Sequence, residues 1–148
     1  MPAYHCFGCS ESNHHGLRME FYEDGDEVIS TWTPGHQFQG YFNILHGGIQ
    51  STLMDEIASW VVFVKAKTGG VTSRLSTRFR KPVYLDEGPV KLRARLKATN
   101  SRTATIEVKL YNSREVLCSE SEVEYFMLSP EKASESMRYP GVEAFYES

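Results

Sequence analysis

Cysteine is scarce in this chain. Three in 148 residues is an odd count that makes no disulfide framework and points to a reducing compartment. A dominant charge is also missing. Lys and Arg total 16 against 19 Asp and Glu, a formal net charge of −3, and the basic residues are spread along the chain rather than gathered into a patch for nucleic acid or an anionic membrane. No apolar run approaches the roughly 18 residues of a membrane span. The opening Met1-Pro2-Ala3-Tyr4-His5 has neither the basic nor the apolar region of a signal peptide. The expectation is a cytoplasmic protein without nucleic-acid or membrane partners. No shift in composition marks a linker, so residues 1–148 are expected to form one domain, with a leader at 1–16 and a peripheral tail at 129–148.

Two of the cysteines form Cys6-Phe7-Gly8-Cys9, with His14 and His15 close behind. A zinc knuckle needs four well-spaced ligands, and here there is no second Cys-x-x-Cys pair while the histidines crowd one end. A redox motif would open a helix after a strand, which this one does not. A metal-free structural turn is expected.

What the chain does have is one long, mostly buried helix. It opens at His46-Gly47-Gly48, runs through Met54-Asp55-Glu56 to Val64, and is expected to close at Thr68-Gly69-Gly70. At about 100° per residue, Ile49, Leu53, Ile57, Trp60, Val61 and Val64 fall on one side. Gly48, Ser51, Asp55, Ser59 and Val62 form a second strip that is small apart from its acid. Free N–H groups at Gly47 and Gly48 carry the positive end of the helix dipole, a ready place for developing negative charge. Glu56, about 100° further round, reads as a helix-surface carboxylate.

The remaining segments read as strands. Leu17 to Tyr22 and Val28 to Trp32 suggest a hairpin about Asp24-Gly25, and Gln37 to Asn43 is an aromatic loop feeding the helix, with Phe38, Tyr41 and Phe42 either walling a pocket or plugging the core. Beyond the helix, 71–80, 90–98, 104–110 and 116–128 alternate with a period of two. A helix apolar over most of its circumference needs a curled antiparallel sheet, an α+β architecture, and the leftover edge and small-residue strip suggest a second copy alongside.

His46-Gly47-Gly48, with Asp55 nine residues after the histidine, resembles the helix-opening motif of the PaaI-like hot-dog thioesterases of the 4-hydroxybenzoyl-CoA thioesterase superfamily. Phe38-Gln39-Gly40-Tyr41, Gly69-Gly70-Val71-Thr72, Arg80-Lys81-Pro82-Val83 and the Cys6 to Leu17 leader are similar to a branch with a cysteine-bearing leader, although Cys9-Ser10 and Asn13-His14 stand where that branch usually has Cys-Gly and Asn-Pro.

The resemblance implies a hot-dog fold and an acyl-CoA thioester hydrolase with its active site between the subunits of a homodimer, or of a dimer of dimers. It implies no cofactor beyond the CoA of the substrate, and no metal. Asp55 would be the general base for water, or a nucleophile forming an anhydride. The Gly47 N–H, with Gly48, would polarise the thioester carbonyl, His46 would orient or pack, and Thr72 would hold the water from the facing subunit. Asn43 is a second candidate for that role and is grouped with Tyr41 and Phe38 as substrate-binding, and Arg80 and Lys81 are candidates for the CoA phosphates. An acyl-CoA-binding module without catalysis and a hot-dog hydratase or dehydratase are the alternatives, since fold does not fix function.

Overall fold

The computed structural model describes residues 5–137 and 139–141. Six strands and two helices follow one another as β1 (Tyr22–Asp24), β2 (Glu27–Trp32), α1 (Gly47–Val64), β3 (Gly70–Phe79), β4 (Val90–Thr99), β5 (Thr103–Tyr111), β6 (Leu117–Met127) and α2 (Pro130–Met137). The strands make a single antiparallel sheet in the order β1-β2-β4-β5-β6-β3. The sheet curls round α1, which touches β2, β3, β4, β5 and β6, and this is the hot-dog arrangement the resemblance implied. No helix among the described residues is long and apolar enough to cross a membrane.

Alternation along the inner strands builds the core. Val90, Leu92 and Ala94 of β4, Ala104, Ile106, Val108 and Leu110 of β5, and Val123 and Tyr125 of β6 are buried against Leu53, Met54, Ile57, Ala58, Val61 and Val62 of α1. The opposite face of β4, β5, β6 and β3 is a lattice of ion pairs, among them Arg95 with Glu107, Lys97 with Glu122 and Arg80 with Glu120. The solvated face expected of Glu120, Glu122 and Glu124 is present.

Several expectations are corrected. The first hairpin arm is only three residues long: Leu17 and Met19 are buried but lie before β1, their stretch being fixed instead by Leu17 N–H to Phe7 O and Met19 N–H to Gly8 O. Helix α1 stops at Val64, and the left-handed residue after it is Lys67 rather than a glycine. Gly70 has a different reason to be glycine, since a Cβ there would sit 2.6 Å from the carbonyl oxygen of Phe126 on the neighbouring strand. The described part of the tail is not peripheral. Ala133 and Tyr139 are buried, and the Tyr139 hydroxyl donates to Phe63 O at 2.9 Å; residues 138 and 142–148 of the expected tail, and 1–4 of the expected leader, lie outside the described residues.

Strand β3, like the short β1, departs from one-sided burial. It lies at the sheet edge, and its apolar residues Val71, Leu75 and Phe79 are exposed to 53%, 38% and 52%. A bulge between Thr72 and Arg74 turns Val71 outward beside Phe126, while Leu75 and Phe79 face inward opposite Val123 and Ser119. An uncovered edge with exposed apolar side chains is the feature a second chain removes.

Candidate active site

Asp55 lies half-buried in the middle of α1, at the point where β3 and β6 run beneath it. Thr72 and Tyr125 are register partners on those two strands, so the sheet delivers both hydroxyls to one carboxylate. The Thr72 hydroxyl donates to Asp55 Oδ1 at 2.7 Å, and the Tyr125 hydroxyl lies 2.9 Å from the same oxygen and 2.8 Å from the Asp55 backbone carbonyl. Burial, aided by the Asp55 charge, pushes the Tyr125 phenol far above its ordinary range, so it remains a proton donor. Both side-chain contacts fall on Oδ1. Oδ2 accepts no hydrogen bond among the described residues.

The helix start is equally well defined. His46 is the N-cap, with φ −56° and ψ 132°, and its Nδ1 accepts the Gly48 N–H at 2.9 Å. His46 therefore caps the helix, and the bond occupies the Gly48 N–H, leaving Gly47 as the open donor of the pair. No acceptor among the described residues takes the Gly47 N–H. A cleft of about 480 Å³ opens there, lined by Gln39, Gly40, Tyr41, Leu45, His46 and Gly47. Phe79, at the end of the exposed β3 edge, lies beside the helix start, since a Cβ on Gly47 would meet the Phe79 ring at 3.6 Å.

The thioesterase-superfamily sequence profile matches residues 42–119, more than half of the chain and all of α1. The chain belongs to the thioesterase superfamily. Solved structures agree on the fold. A thioesterase from Haemophilus influenzae superposes with a TM-score of 0.71 at 22% identity, over 82% of this chain and 85% of that one. The PaaI protein of the Escherichia coli phenylacetic acid degradation operon gives 0.69 at 16% identity, over 77% and 82%. A hypothetical thioesterase from Streptococcus pneumoniae, solved with coenzyme A, gives 0.70 at 21% identity, over 76% and 90%. No curated protein matches in sequence.

Within this superfamily member the other candidate residues separate into groups. Tyr41 is 86% exposed beside the helix-start cleft, as is Phe42 at 90%, but Phe38 is a core residue packed 5.5 Å from Trp32 and is corrected to a structural role. Asn43 has a positive φ of 60° and bonds locally, its N–H to Gln39 Oε1 and its Nδ2 to Asp86. Arg80 and Lys81 follow Phe79 at the end of β3 and do not line the helix-start cleft, and Arg80 is held by Glu120 at 3.2 Å. Thr72 was expected to act from a facing subunit. It bonds Asp55 of its own chain, because the β3 residue that follows the Gly69-Gly70 turn returns directly under the middle of α1.

Of two further residues near Asp55, one escaped the sequence reading and the other sits in a different setting from the one expected. Tyr125 is the first, and its only signal was its place on the inward face of β6, alternating with Glu120, Glu122 and Glu124. Tyr125→Phe removes a buried donor to a carboxylate, and a loss of about 1–3 kcal/mol is expected in urea unfolding. Glu56 is the second. It is not a surface carboxylate: the leader folds over it, the Cys6 thiol donates to Oε1 at 3.3 Å, and burial raises its pKa to about 7.

Proposed function

We propose that the protein hydrolyses an acyl-CoA thioester to the free acid and CoA. The observation that carries this reading is the one-sided holding of Asp55: two hydroxyls fix Oδ1 and leave Oδ2 to take a proton from water. The water oxygen attacks the thioester carbon as its proton passes to Oδ2, the negative charge on the carbonyl oxygen is met by an N–H at a helix start, and the tetrahedral intermediate collapses to acid and CoA thiolate. The proton on Asp55 then returns to the thiolate sulfur. Thioester plus water gives acid plus thiol, and the carboxylate is restored. A nucleophilic Asp55 would need to approach the carbonyl carbon itself. Fixed through Oδ1 against β3 and β6, it is better suited to the base role, and single turnover in ¹⁸O-water checks this: label is expected in the product acid and not in Asp55.

Geometry along α1 supports a shared site. Gly47 and Asp55 belong to one helix and are separated by roughly 12 Å of axis at ~1.5 Å per residue, too far for both to reach a single thioester group. One chain supplies the carboxylate with Thr72 and Tyr125, and a second chain supplies the Gly47 N–H. The exposed β3 edge, whose Phe79 reaches the helix start, is the surface on which the two chains meet as a homodimer; a dimer of dimers would leave this pairing intact. The Tyr41 cleft then takes the acyl side and Arg80 and Lys81 the nucleotide phosphates. The S. pneumoniae relative solved with coenzyme A supports CoA as the carrier.

A thiol-release screen over short, medium, long and aromatic acyl-CoAs tests the proposal. Free CoA thiol is the expected product. Unchanged ligand would leave a binding module, and an unsaturated or hydrated acyl-CoA would make the protein a dehydratase or hydratase. The assembly has its own check. Leu75→Lys with Phe79→Lys is expected to give monomers in analytical ultracentrifugation and to lower thiol release at least about tenfold, with unfolding of the chain itself shifted by less than about 0.5 kcal/mol because both side chains are exposed.

A further inference from the structure

The third donor that the Cys6-Phe7-Gly8-Cys9 spacing lacked is supplied by the fold. The leader turn, closed by Ser10 N–H to Cys6 O at 3.1 Å, lies directly on α1. There the Sγ atoms of Cys6 and Cys9 and a carboxylate oxygen of Glu56 all fall within 4.8 Å of one another, none of them on an exposed residue. The Cys6 Sγ to Glu56 Oε1 separation is 3.3 Å. With zinc–sulfur bonds of about 2.3 Å and zinc–oxygen bonds of about 2.0–2.2 Å, the edges of a ligand tetrahedron are about 3.4–3.8 Å, close to the 3.3 Å between Cys6 and Glu56, and the other two separations need shorten at most from 4.8 Å. Gly8 makes the approach possible, since a Cβ there would lie 2.5 Å from the Glu56 carboxyl carbon. We propose that Cys6, Cys9 and Glu56 bind one zinc ion, with water as the fourth ligand, fastening the leader to the central helix.

The chemistry of the cluster favours this reading over the metal-free turn expected from the sequence. Glu56 is a half-buried acid with no Lys or Arg ion pair among the described residues, and the two thiols make this a donor set that suits zinc and not magnesium or calcium. Binding releases both thiol protons to solvent, together with the Glu56 proton where that is present, and replaces three donors competing for one hydrogen-bonded spot with a single cation shared by all. The histidines are not part of the set, because His5, His14 and His15 are exposed and only these two cysteines and Glu56 cluster among the described residues. Cys118 is buried on β6 and is not part of the cluster. The site lies one residue past Asp55 but on another side of α1, so its role is to hold the leader and not to handle the thioester.

The test uses the full chain carrying no affinity tag, grown with added zinc, with its metal measured by inductively coupled plasma mass spectrometry. One zinc per chain is expected in wild type and in Cys118→Ser, and a stray level in Cys6→Ser/Cys9→Ser. Stripped protein titrated with cobalt(II) should develop a thiolate-to-cobalt charge-transfer band and the intense visible bands of a tetrahedral site, with Glu56→Gln binding cobalt at least tenfold more weakly. Wild-type protein with no zinc and no charge-transfer band overturns the proposal, and so does a full complement of zinc in the double cysteine variant. The wild-type measurements alone decide the matter if a variant fails to fold.

Discussion

Asp55→Asn is expected to lower kcat for thioester hydrolysis by about 10²-fold or more while acyl-CoA binding is largely kept. The substitution is a narrow one in this setting. Asparagine keeps an oxygen to accept from Thr72 and Tyr125, so the contacts that place the side chain persist, and only the proton-accepting Oδ2 is replaced by an amide nitrogen. Stability should therefore change little, and equilibrium unfolding beside steady-state kinetics separates loss of the base from loss of the fold. If Asp55 were only a solvated helix residue, turnover would survive and stability would move by less than about 0.5 kcal/mol. An active Asp55→Asn protein together with an inactive Glu56→Gln protein would transfer the base to the neighbouring carboxylate, whose pKa of about 7 also suits proton transfer near neutrality. The geometry argues against that outcome, because Glu56 points to another side of α1 from Asp55, under Cys6 and Gly8, while Asp55 is the carboxylate held by Thr72 and Tyr125.

The parts of this fold that were legible in the sequence are those dictated by local periodicity. Val90, Leu92 and Ala94, and Ala104, Ile106, Val108 and Leu110, alternate because each strand is wet on one side and dry on the other. Helix α1 was legible because no other element accommodates eighteen consecutive residues so poor in charge. Its inward face was read less well, as Met54 and Ala58 are fully buried whereas Ile49 and Trp60 are only partly so. A sheet that curls round a helix buries an arc wider than one stripe, and Trp60 is drawn to the rim by stacking on Phe21 at 4.6 Å. The same limit applies to the site. His46, Gly47 and Asp55 share one helix and could be ordered by spacing alone, but Tyr125 meets Asp55 across seventy positions and Cys6 meets Glu56 across fifty. Contacts of that length are made by the register of β3 with β6 and by the path of the leader, neither of which has a local signature. The tail was misread for a related reason. Its polar composition describes the exposed face of α2, while its anchoring rests on two buried residues, Ala133 and Tyr139.

Gly47→Pro is the complementary experiment at the other end of α1, with an expected loss of roughly 10²–10³-fold in kcat. Proline removes the one N–H proposed to meet the developing oxyanion and does little else here. The first helical position tolerates it, His46 already has the extended ψ of 132° that a residue before proline requires, and the only side chain near a new Cβ is Phe79 at an ordinary 3.6 Å. Gly47→Ala keeps the N–H and adds the same Cβ, so it should remain within about tenfold of wild type. Mixing chains then asks where the two halves of the site come from. If one subunit supplies Gly47 and the other supplies Asp55, a Gly47→Pro chain paired with an Asp55→Asn chain holds one intact site and one doubly damaged site. Random exchange at equal amounts makes half of the dimers mixed, so activity should return to about a quarter of wild type. Asp55→Asn mixed with Thr72→Ala should recover nothing, because those two side chains touch within a single chain. Recovery in the second mixture but not the first would invert the assignment of residues to subunits, and recovery in neither would place the oxyanion donor and the base on the same chain, where the length of α1 gives them no common substrate.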